Sequence, residues 1–427
     1  MKEDWMHLAQ ERDKDDSLTA LGERFEHPPG PDGRRAAYLT GHSLGLLPHA
    51  ARTLVAEEFE DWAQYAVEGH IRARRPWVSY HEHLTPLVAR VVGAREDEVV
   101  VMNSLTVNLH LMMVSFYRPT AKRHAIVIER GAFPSDRYAV VSQLEYHGYA
   151  AADALIEIEP REGESRVREE DVEAVLAREG ERVALVLWPG VQYLSGQAFD
   201  LARIARAGHA AGARVGFDLA HAVGNIALDL HGTGADFAVW CSYKYLNGGP
   251  GAPGGCFVNE RHARDFKGPR FTGWWGHDKA ARFAMEPDFV PIPTAEAWQL
   301  SNPPIFALAP LLASLRVFDE VGMQALRERS ERLTGTLYDA LAVELGDAID
   351  ILTPEEPQAR GCQLSIRVKR PRDQARAVFD DLMARGIVVD WREPGIIRLA
   401  PAPLYNTHAD CARAVEGLRE ALYDVKG

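Results

Sequence analysis

The chain has 427 residues, 46% of them hydrophobic, and a formal net charge of −13. At this length single hydrophobic cores divide, so we expect a large and a smaller domain. The acidic balance, without a basic stripe, argues against nucleic acid as a partner. No apolar run approaches the roughly 18 residues that span a bilayer, and residues 1–7 are too charged for a secretory signal. We therefore expect a cytoplasmic protein with no membrane partner.

Short β-type runs alternate with helical stretches through the first two thirds of the chain. The runs are residues 99–102, 125–128, 155–158, 183–187, 215–218, 237–241 and 255–258. This alternation predicts an α/β fold in which a mostly parallel sheet is flanked by helices.

The pattern changes after residue 304. Leucines near helical spacing predict a long helix, and they are Leu326, Leu333, Leu337, Leu341 and Leu345. An alternating strand follows at 362–368, then a helix at 374–385, paired strands within 387–399 and a helix at 409–425. We expect a large domain at 50–305, a smaller α+β domain at 306–427, and an N-terminal segment, 1–49, that packs with the small domain.

One lysine lies among aromatic and apolar residues. Lys244 follows the run 237–241 in the sequence Cys-Ser-Tyr-Lys-Tyr-Leu-Asn, whereas the other seven lysines have charged, polar, Gly or Pro neighbours. Burying an ammonium without a partner is costly, and a lysine desolvated in this way is a nucleophile able to form a Schiff base. The alternative is that its stem packs while the ammonium reaches water.

An acid and an imidazole follow the run 215–218. Asp218 ends this run and His221 comes three residues later, so both should lie at the carboxyl edge of the sheet, where parallel sheets bind ligands. Pyridoxal phosphate needs a lysine for its imine and an acid that keeps its ring nitrogen protonated. Asp218 and Lys244 fit this requirement, although Asp218 is equally compatible with a helix N-cap or a turn.

Two further segments follow strand-like runs. Residues 103–108 are rich in Asn, Ser and Thr and precede the apolar stretch 109–117. Such a segment predicts a helix start whose free N–H groups suit a phosphate, although an ordinary capped helix has the same composition. Phe133, after the run 125–128, either stacks on a flat ring or belongs to the core.

With these features in this order, the chain resembles kynureninase, a fold-type I pyridoxal-phosphate enzyme. The matching blocks lie at 105–110, 132–136, 216–225, 241–247, 273–277, 301–304 and 398–406. The resemblance implies an aspartate aminotransferase-like fold, pyridoxal 5′-phosphate as cofactor, and a homodimer with shared active sites. It also implies hydrolytic Cβ–Cγ cleavage of L-kynurenine or 3-hydroxy-L-kynurenine, a small-molecule substrate, to anthranilate or 3-hydroxyanthranilate and L-alanine. That reaction belongs to tryptophan catabolism and NAD biosynthesis.

The resemblance assigns three catalytic residues. Lys244 holds the cofactor and then removes the α-proton, Asp218 keeps the ring nitrogen charged, and Tyr243 binds phosphate and exchanges a proton with the substrate carbonyl. The implied cofactor-binding residues are Leu105, Thr106, Phe133, Ser135, Asp136, Asp218, His221, Tyr243, Lys244, Trp274 and Asn302. Trp274 is expected to come from the partner subunit.

The implied substrate-binding residues are His70, Asn302 and Arg398. Arg398 would clamp the α-carboxylate through paired hydrogen bonds, or else be a surface arginine between strand residues. A His70 and Asn302 pair beside the substrate ring predicts a preference for 3-hydroxykynurenine. Alternatively, His70 caps a helix and Asn302 turns the chain before two prolines.

Two positions depart from the family pattern. His42, in the segment Gly-His-Ser-Leu-Gly at 41–45, stands where the family has Asn, and Pro189 stands where it frequently has Ser. Because a proline donates no hydrogen bond, the role of that Ser is lost or replaced here.

Other patterns point to less specific features. The segment 41–45 fits a hydrolase Gly-x-Ser-x-Gly elbow but has a polar loop before it and Pro48 after it. The glycines at 249, 251 and 254 fit a dinucleotide motif, but interleaved prolines favour a loop under the cofactor edge. Residues 81–83, His-Glu-His, lack zinc-helix spacing, so we expect a solvated face and no metal. The four cysteines, at 241, 256, 362 and 411, are expected to be reduced.

Two other functions remain open. The first is another fold-type I enzyme, such as a class V aminotransferase or a cysteine desulfurase, and a desulfurase would need a cysteine on an exposed mobile loop. The second is a catalytically silent pyridoxal-phosphate protein that acts as a scaffold or effector-binding module.

Overall fold

The computed structural model describes residues 4–31 and 33–424. A seven-stranded sheet contains β1 (Val99–Val101), β2 (Ala125–Glu129), β3 (Leu155–Ile158), β4 (Val183–Pro189), β5 (Arg214–Asp218), β6 (Phe237–Trp240) and β7 (Gly255–Val258). Its strand order is β1-β7-β6-β5-β4-β2-β3, and β7 is antiparallel to both of its neighbours. The strands β2 to β6 are parallel to one another. The predicted mostly parallel sheet is therefore confirmed.

Helices cover both faces of this sheet and form much of the remaining chain. They are α1 (Trp5–Asp15), α2 (His49–Tyr65), α3 (Gly69–Arg72), α4 (Thr85–Val92), α5 (Leu105–Phe116), α6 (Pro134–Tyr146), α7 (Ala151–Ala154), α8 (Glu169–Glu179), α9 (Leu201–Ala210), α10 (Leu230–Thr233), α11 (Glu260–Ala263), α12 (Ile305–Val321), α13 (Met323–Leu345), α14 (Arg372–Ala384) and α15 (His408–Asp424). Single 3₁₀ turns include Trp77–His83, Trp274–Gly276 and Ala295–Trp298.

The sheet is apolar on both faces, as strands covered by helices on both sides must be. Along β4, Val186 and Trp188 pack into one core layer, whereas Leu185 and Leu187 pack into the other. The alternation of side chains along the strand thus contributes to two separate cores.

A four-stranded antiparallel sheet forms the second core. Its strands are β8 (Ile349–Ile351), β9 (Leu364–Val368), β10 (Asp390–Arg392) and β11 (Ile396–Leu399), in the order β8-β9-β11-β10. Four of the five predicted leucines of α13 are buried in this core, and Leu326 packs into the large one. The predicted helices at 374–385 and 409–425 correspond to α14 and α15, with residue 425 outside the described residues. The smaller α+β unit is therefore confirmed.

The N-terminal segment contacts the smaller unit at two places. Asp13, in α1, accepts hydrogen bonds from the backbone N–H groups of His408 and Ala409, at 2.7 and 2.9 Å. Strand Ala37–Tyr38 pairs in parallel with Ile387–Val388 of the small unit. Helix α12 packs into the core of the large sheet through Leu308, Leu312 and Phe318. The boundaries proposed at residues 50 and 306 remain predictions.

Gly216 leaves room for a neighbouring ring in the strand that ends at Asp218. A Cβ atom at this position would lie 2.1 Å from Cζ of Phe237 on β6. Both residues are buried, and the flat contact keeps β5 and β6 in register.

We expect Gly216→Ala to destabilise the protein by about 1–3 kcal/mol, because the added methyl must displace a core ring. Gly335→Ala is the matched control, since a Cβ in the middle of α13 meets nothing within 4 Å and an alanine there should stabilise the helix by up to about 1 kcal/mol. Thermal unfolding midpoints of the two variants should move in opposite directions. Equal shifts would contradict the packing role of Gly216.

Candidate active site

A cavity of about 200 Å³ opens at the carboxyl edge of the large sheet. The ends of β2, β4 and β5 meet there, so residues distant in sequence converge on it. The predicted residues that line it are Leu105, Thr106, Phe133, Ser135, Asp136, Asp218, His221, Tyr243 and Lys244. The fold thus brings together the nine residues predicted from segments that follow strands.

The N-terminus of α5 forms one end of this cavity. The helix begins at Leu105, so part of the segment 103–108 is its first turn rather than a loop before the apolar stretch. Its N-cap, Ser104, makes no side-chain cap hydrogen bond. Thr106 Oγ lies 2.9 Å from Ser135 Oγ, near the start of α6. Free helix N–H groups beside two hydroxyls form an anion site that needs no basic residue.

Two carboxyl groups form another wall. Asp218 ends β5 with 8% of its surface exposed, and its Oδ1 accepts a hydrogen bond from Ala220 N at 2.7 Å. Asp136 lies beside it, and burial together with the Asp218 charge raises the pKa of Asp136 well above its usual range. Burial and the neighbouring charge thus favour the protonated form of Asp136, beside the acid predicted to contact the cofactor ring.

The Lys244 amine reaches the cavity between two aromatic rings. Its Nζ lies 5.9 Å from the ring centroid of Phe133 and 5.9 Å from that of Tyr243. The segment 41–45 contacts the turn that carries Lys244, since Gly45 N donates to Tyr243 O at 2.9 Å. A Cβ at Gly45 would approach Lys244 O, so the segment 41–45 packs closely against this turn.

Two further groups near this lysine, Tyr243 and His221, are neutral. Burial raises the pKa of the Tyr243 phenol, which therefore keeps its proton and remains a hydrogen-bond donor. Burial, followed by the charges of Lys244 and Arg398, lowers the pKa of His221 well below its usual range. A neutral His221 can donate from only one ring nitrogen.

Arg398 lies beside the cavity on the side of the small unit. Its side chain is buried on β11, where Nε donates to Asp390 Oδ1 at 3.0 Å and Nη1 donates to Tyr193 O at 2.7 Å. Tyr193 itself lines the cavity. The surface-arginine interpretation is therefore wrong, and the guanidinium is one residue away from the space a substrate would occupy.

Three predicted residues lie away from this cavity within one chain. His70 and Asn302 line a second pocket together with Trp62, Trp77 and Phe306. Trp274 is about half exposed, with its Nε1 donating to Arg282 O. Nδ1 of His70 lies 2.9 Å from Val67 O at the start of α3. One chain alone does not join these groups to Lys244.

Tyr193 and Glu129 also line the cavity, and neither was predicted as a site residue. Glu129 ends β2 as Asp218 ends β5, so the rule that selected one acid after an apolar run applies equally to the other. Tyr193 gave no such signal. It follows Pro189 by four residues in an irregular segment, and its ring meets that of Phe133 edge-on at 5.3 Å.

The predicted solvated face at 81–83 is wrong for His81. This residue is fully buried, because the turn Trp77–His83 directs it inward and its Nε2 pairs with Glu296 at 3.0 Å. Glu82 and Glu296 in turn bind Nζ of Lys279, at 2.9 and 3.0 Å. An ammonium thus balances these carboxylates.

The four cysteines are buried free thiols. Within the described residues the structure therefore offers no exposed loop cysteine of the kind a desulfurase needs. The same residues contain no helix that is long and apolar enough to span a membrane.

Curated relatives match nearly the whole chain. Kynureninases from Koribacter versatilis and Myxococcus xanthus are 54% and 55% identical over 410 and 416 residues, covering 96% and 97% of both partners. The chain belongs to the kynureninase family. Residues 326–418 also match the family model described as the kynureninase C-terminal domain. A third kynureninase, from Xanthomonas campestris pv. campestris, is 55% identical over 95% of each chain.

Solved structures support the fold at much lower identity. The cystine C-S lyase C-DES, in a mutant with glycine linked to its PLP cofactor, has a TM-score of 0.77 at 17% identity and covers 92% of this chain and 98% of its own. A cysteine desulfurase from Escherichia coli has a TM-score of 0.76 at 16% identity, covering 96% and 99%. These structures confirm the fold of the chain but not its reaction.

Kynureninases use pyridoxal phosphate, and the cavity has the groups that this cofactor needs. An amine, a carboxylate, an aromatic ring and an anion-binding helix start line one space. Oδ1 of Asp136 is a buried polar atom without a protein partner. The residues that line the cavity therefore fit the chemical requirements of pyridoxal phosphate.

Glu129, in the same cavity, has a pKa that folding shifts. Burial raises its pKa to about 8, and its Oε2 has no protein partner. An unfolded glutamic acid has a pKa of about 4.3. The folded protein therefore holds this proton more tightly, and the stability present below about pH 4 is progressively lost as the pH rises to about 8.

We expect Glu129→Gln to be more stable than the wild-type apo-protein by a few kcal/mol near pH 8 but not near pH 4. The amide keeps the size of the side chain and never ionises. Urea unfolding midpoints at several pH values provide the measurement, with the exposed Glu162→Gln as control. A gain that does not grow with pH would contradict the burial of an ionisable Glu129.

Proposed function

We propose that the protein is a pyridoxal-phosphate-dependent hydrolase of L-kynurenine or 3-hydroxy-L-kynurenine. It cleaves the Cβ–Cγ bond and releases an anthranilate and L-alanine. The observation that carries this proposal is the position of the Lys244 amine between Phe133 and Tyr243 in the cavity lined by Asp218. The chain is also more than half identical to kynureninases over nearly its full length.

Each end of the cavity takes one part of the cofactor. The start of α5, with Thr106 and Ser135, would hold the phosphate. Asp218 would pair with the protonated ring nitrogen, and Phe133 would stack on the ring. When bound, the cofactor supplies an electron sink for the bond cleavage.

Two side chains, Lys244 and Tyr243, are proposed to transfer protons to and from the substrate. Lys244 would hold the cofactor covalently, and its amine would serve as the base for the substrate α-proton. Tyr243, which keeps its phenolic proton, donates toward the substrate carbonyl as water adds to it. Arg398 exchanges its Asp390 contacts for the substrate α-carboxylate, a planar partner of the same charge.

A homodimer would complete the substrate side of the site. Phe59 and Trp62 are each 55% exposed and pack against Phe306, with ring centroids 4.6 Å apart for Phe59 and Phe306. An exposed aromatic patch of this kind marks an interface. The patch borders the pocket with His70 and Asn302. We therefore propose that these two residues, and Trp274, face the cavity of the partner subunit.

The cytoplasm is the compartment that fits four buried reduced thiols. The direct test of function is the appearance of anthranilate fluorescence when L-kynurenine is added to the purified protein. Release of sulfide from L-cysteine, with no anthranilate formed, would instead favour a desulfurase. Cofactor binding without either activity would favour a silent scaffold.

The first prediction from the proposed function concerns Lys244. Purified protein should absorb at the visible edge of the ultraviolet, because the amine in the cavity bonds to the cofactor. Borohydride reduction followed by peptide mapping should find the cofactor fixed on the peptide with Lys244. Lys279→Met, which changes a paired surface lysine, should leave this labelling intact. Cofactor fixed on any other lysine contradicts the assignment.

A second prediction concerns Asp218. Asp218→Asn keeps the size but removes the charge that holds the ring nitrogen protonated, so turnover should fall by several orders of magnitude. The exposed Asp265→Asn is the control. Steady-state turnover of cofactor-loaded protein provides the measurement. Near-normal turnover with intact cofactor binding would remove the proposed role.

A third prediction concerns substrate preference. His70 and Asn302 can hydrogen-bond a ring hydroxyl, and a bare ring edge would leave them unpaired at a cost of about 1–3 kcal/mol. We expect a higher kcat/KM for 3-hydroxykynurenine and a loss of this preference in His70→Phe with Asn302→Leu. Competition between the two substrates measures the ratio. An unchanged ratio in the double variant would exclude these residues from selectivity.

A further inference from the structure

His42, one of the two departures from the family pattern, is a buried imidazole without a protein partner. Its side chain is 1% exposed, and neither Nδ1 nor Nε2 makes a hydrogen bond to another protein atom. A buried polar group in this state is destabilising unless something satisfies it. An imidazole offers one donor and one acceptor in its neutral form.

The segment that carries His42 is fixed at both ends to the active site. On one side, Ser43 Oγ donates to Asp390 at 2.8 Å and accepts from Arg398 at 3.4 Å. On the other side, Gly45 N donates to Tyr243 O. His42 is therefore held between the arginine proposed for the substrate and the turn that carries Lys244.

His221 is the neighbour of His42 on the cavity side. The two ring centroids lie 6.2 Å apart at an interplanar angle of 43°. Nδ1 of His221 is also buried without a protein partner, which leaves Nε2 as the nitrogen that can reach the cavity. Both rings stay neutral, because burial and the charges of Lys244 and Arg398 lower the pKa of each.

No direct hydrogen bond joins the two rings, and ring centroids 6.2 Å apart leave a separation that one water can bridge. A buried water typically bonds two to four otherwise unpaired polar groups, and each imidazole has at least one buried nitrogen without a protein partner. A neutral His221 whose Nδ1 accepts a hydrogen bond must carry its proton on Nε2.

We propose that His42 is a positioning residue for His221: a buried water bonded to both imidazoles fixes His221 with its Nε2–H directed at the cofactor. This inference rests on the proposed function. Pro189 ends β4 beside Asp218 and lines the cavity, but its backbone has no N–H to donate. A hydrogen-bond donor on this wall must therefore come from another residue. His221 Nε2 is then the neutral donor on this wall, and its tautomer matters.

The test is a double-mutant cycle between the two histidines, read as the dissociation constant of pyridoxal phosphate from the full-length apo-protein. His42→Leu removes both nitrogens, whereas His42→Gln keeps an amide at the reach of Nε2. His42→Phe is a second apolar variant, for use if the leucine variant does not fold. His83→Leu, at an exposed histidine, is the matched control, and unfolding midpoints report on folding.

We expect His42→Leu to weaken cofactor binding about tenfold, the loss of one buried hydrogen bond, and to shift the absorption of the bound cofactor. His42→Gln should stay within about threefold of the wild type. In a His221→Leu background, His42→Leu should add no further loss, because its effect passes through His221.

Three results would overturn the proposal. They are unchanged cofactor affinity in His42→Leu, an equal loss in His42→Leu and His42→Gln, or the same loss with and without His221. Cofactor binding and anthranilate formation by the wild type distinguish failure of this proposal from failure of the proposed function. If it binds no cofactor, the proposed function fails, whereas a wild type that binds cofactor and forms anthranilate leaves only the role of His42 in question.

Discussion

Placing opposite charges in one buried cavity is the constraint on which this site depends. Strands β5 and β6 are parallel neighbours, with Asp218 paired in register to Val239, so the acid after one strand and the lysine after the next reach the same space. Burial and the Asp218 charge raise the pKa of Asp136, so a second ionised carboxylate is disfavoured in this cavity.

The two structural units contribute different chemistry to this cavity. The large sheet carries the groups proposed for the cofactor at its strand ends, whereas the small unit carries Arg398, proposed for the substrate, on β11. The segment 41–45 touches both, through Ser43 on one side and Gly45 on the other. Any relative movement of the units must therefore change the distance between Arg398 and Lys244 or break these contacts.

The sequence predicted the cofactor side of the site better than the substrate side, for a physical reason. Asp218, Lys244 and Thr106 each follow an apolar strand, and parallel strands end at one edge, so chain order alone brings them together. Tyr193 and His81 obey no such rule. Tyr193 is placed by an irregular segment, and burial of His81 depends on Glu296, more than 200 residues away, which no local pattern reveals.

His70, Asn302 and Trp274 expose the limit of inference from one chain. Their motifs were recognisable in the sequence, yet within a single chain they lie in a second pocket or at the surface. A residue that functions across a symmetric interface is constrained by the surface of the partner subunit. It need not be buried or packed in the core of its own chain. The cofactor side is fixed by buried strands, whereas the substrate side would be assembled between surfaces. Under the proposed function, substitutions in the second pocket would alter substrate selection without disturbing the packing that holds Lys244.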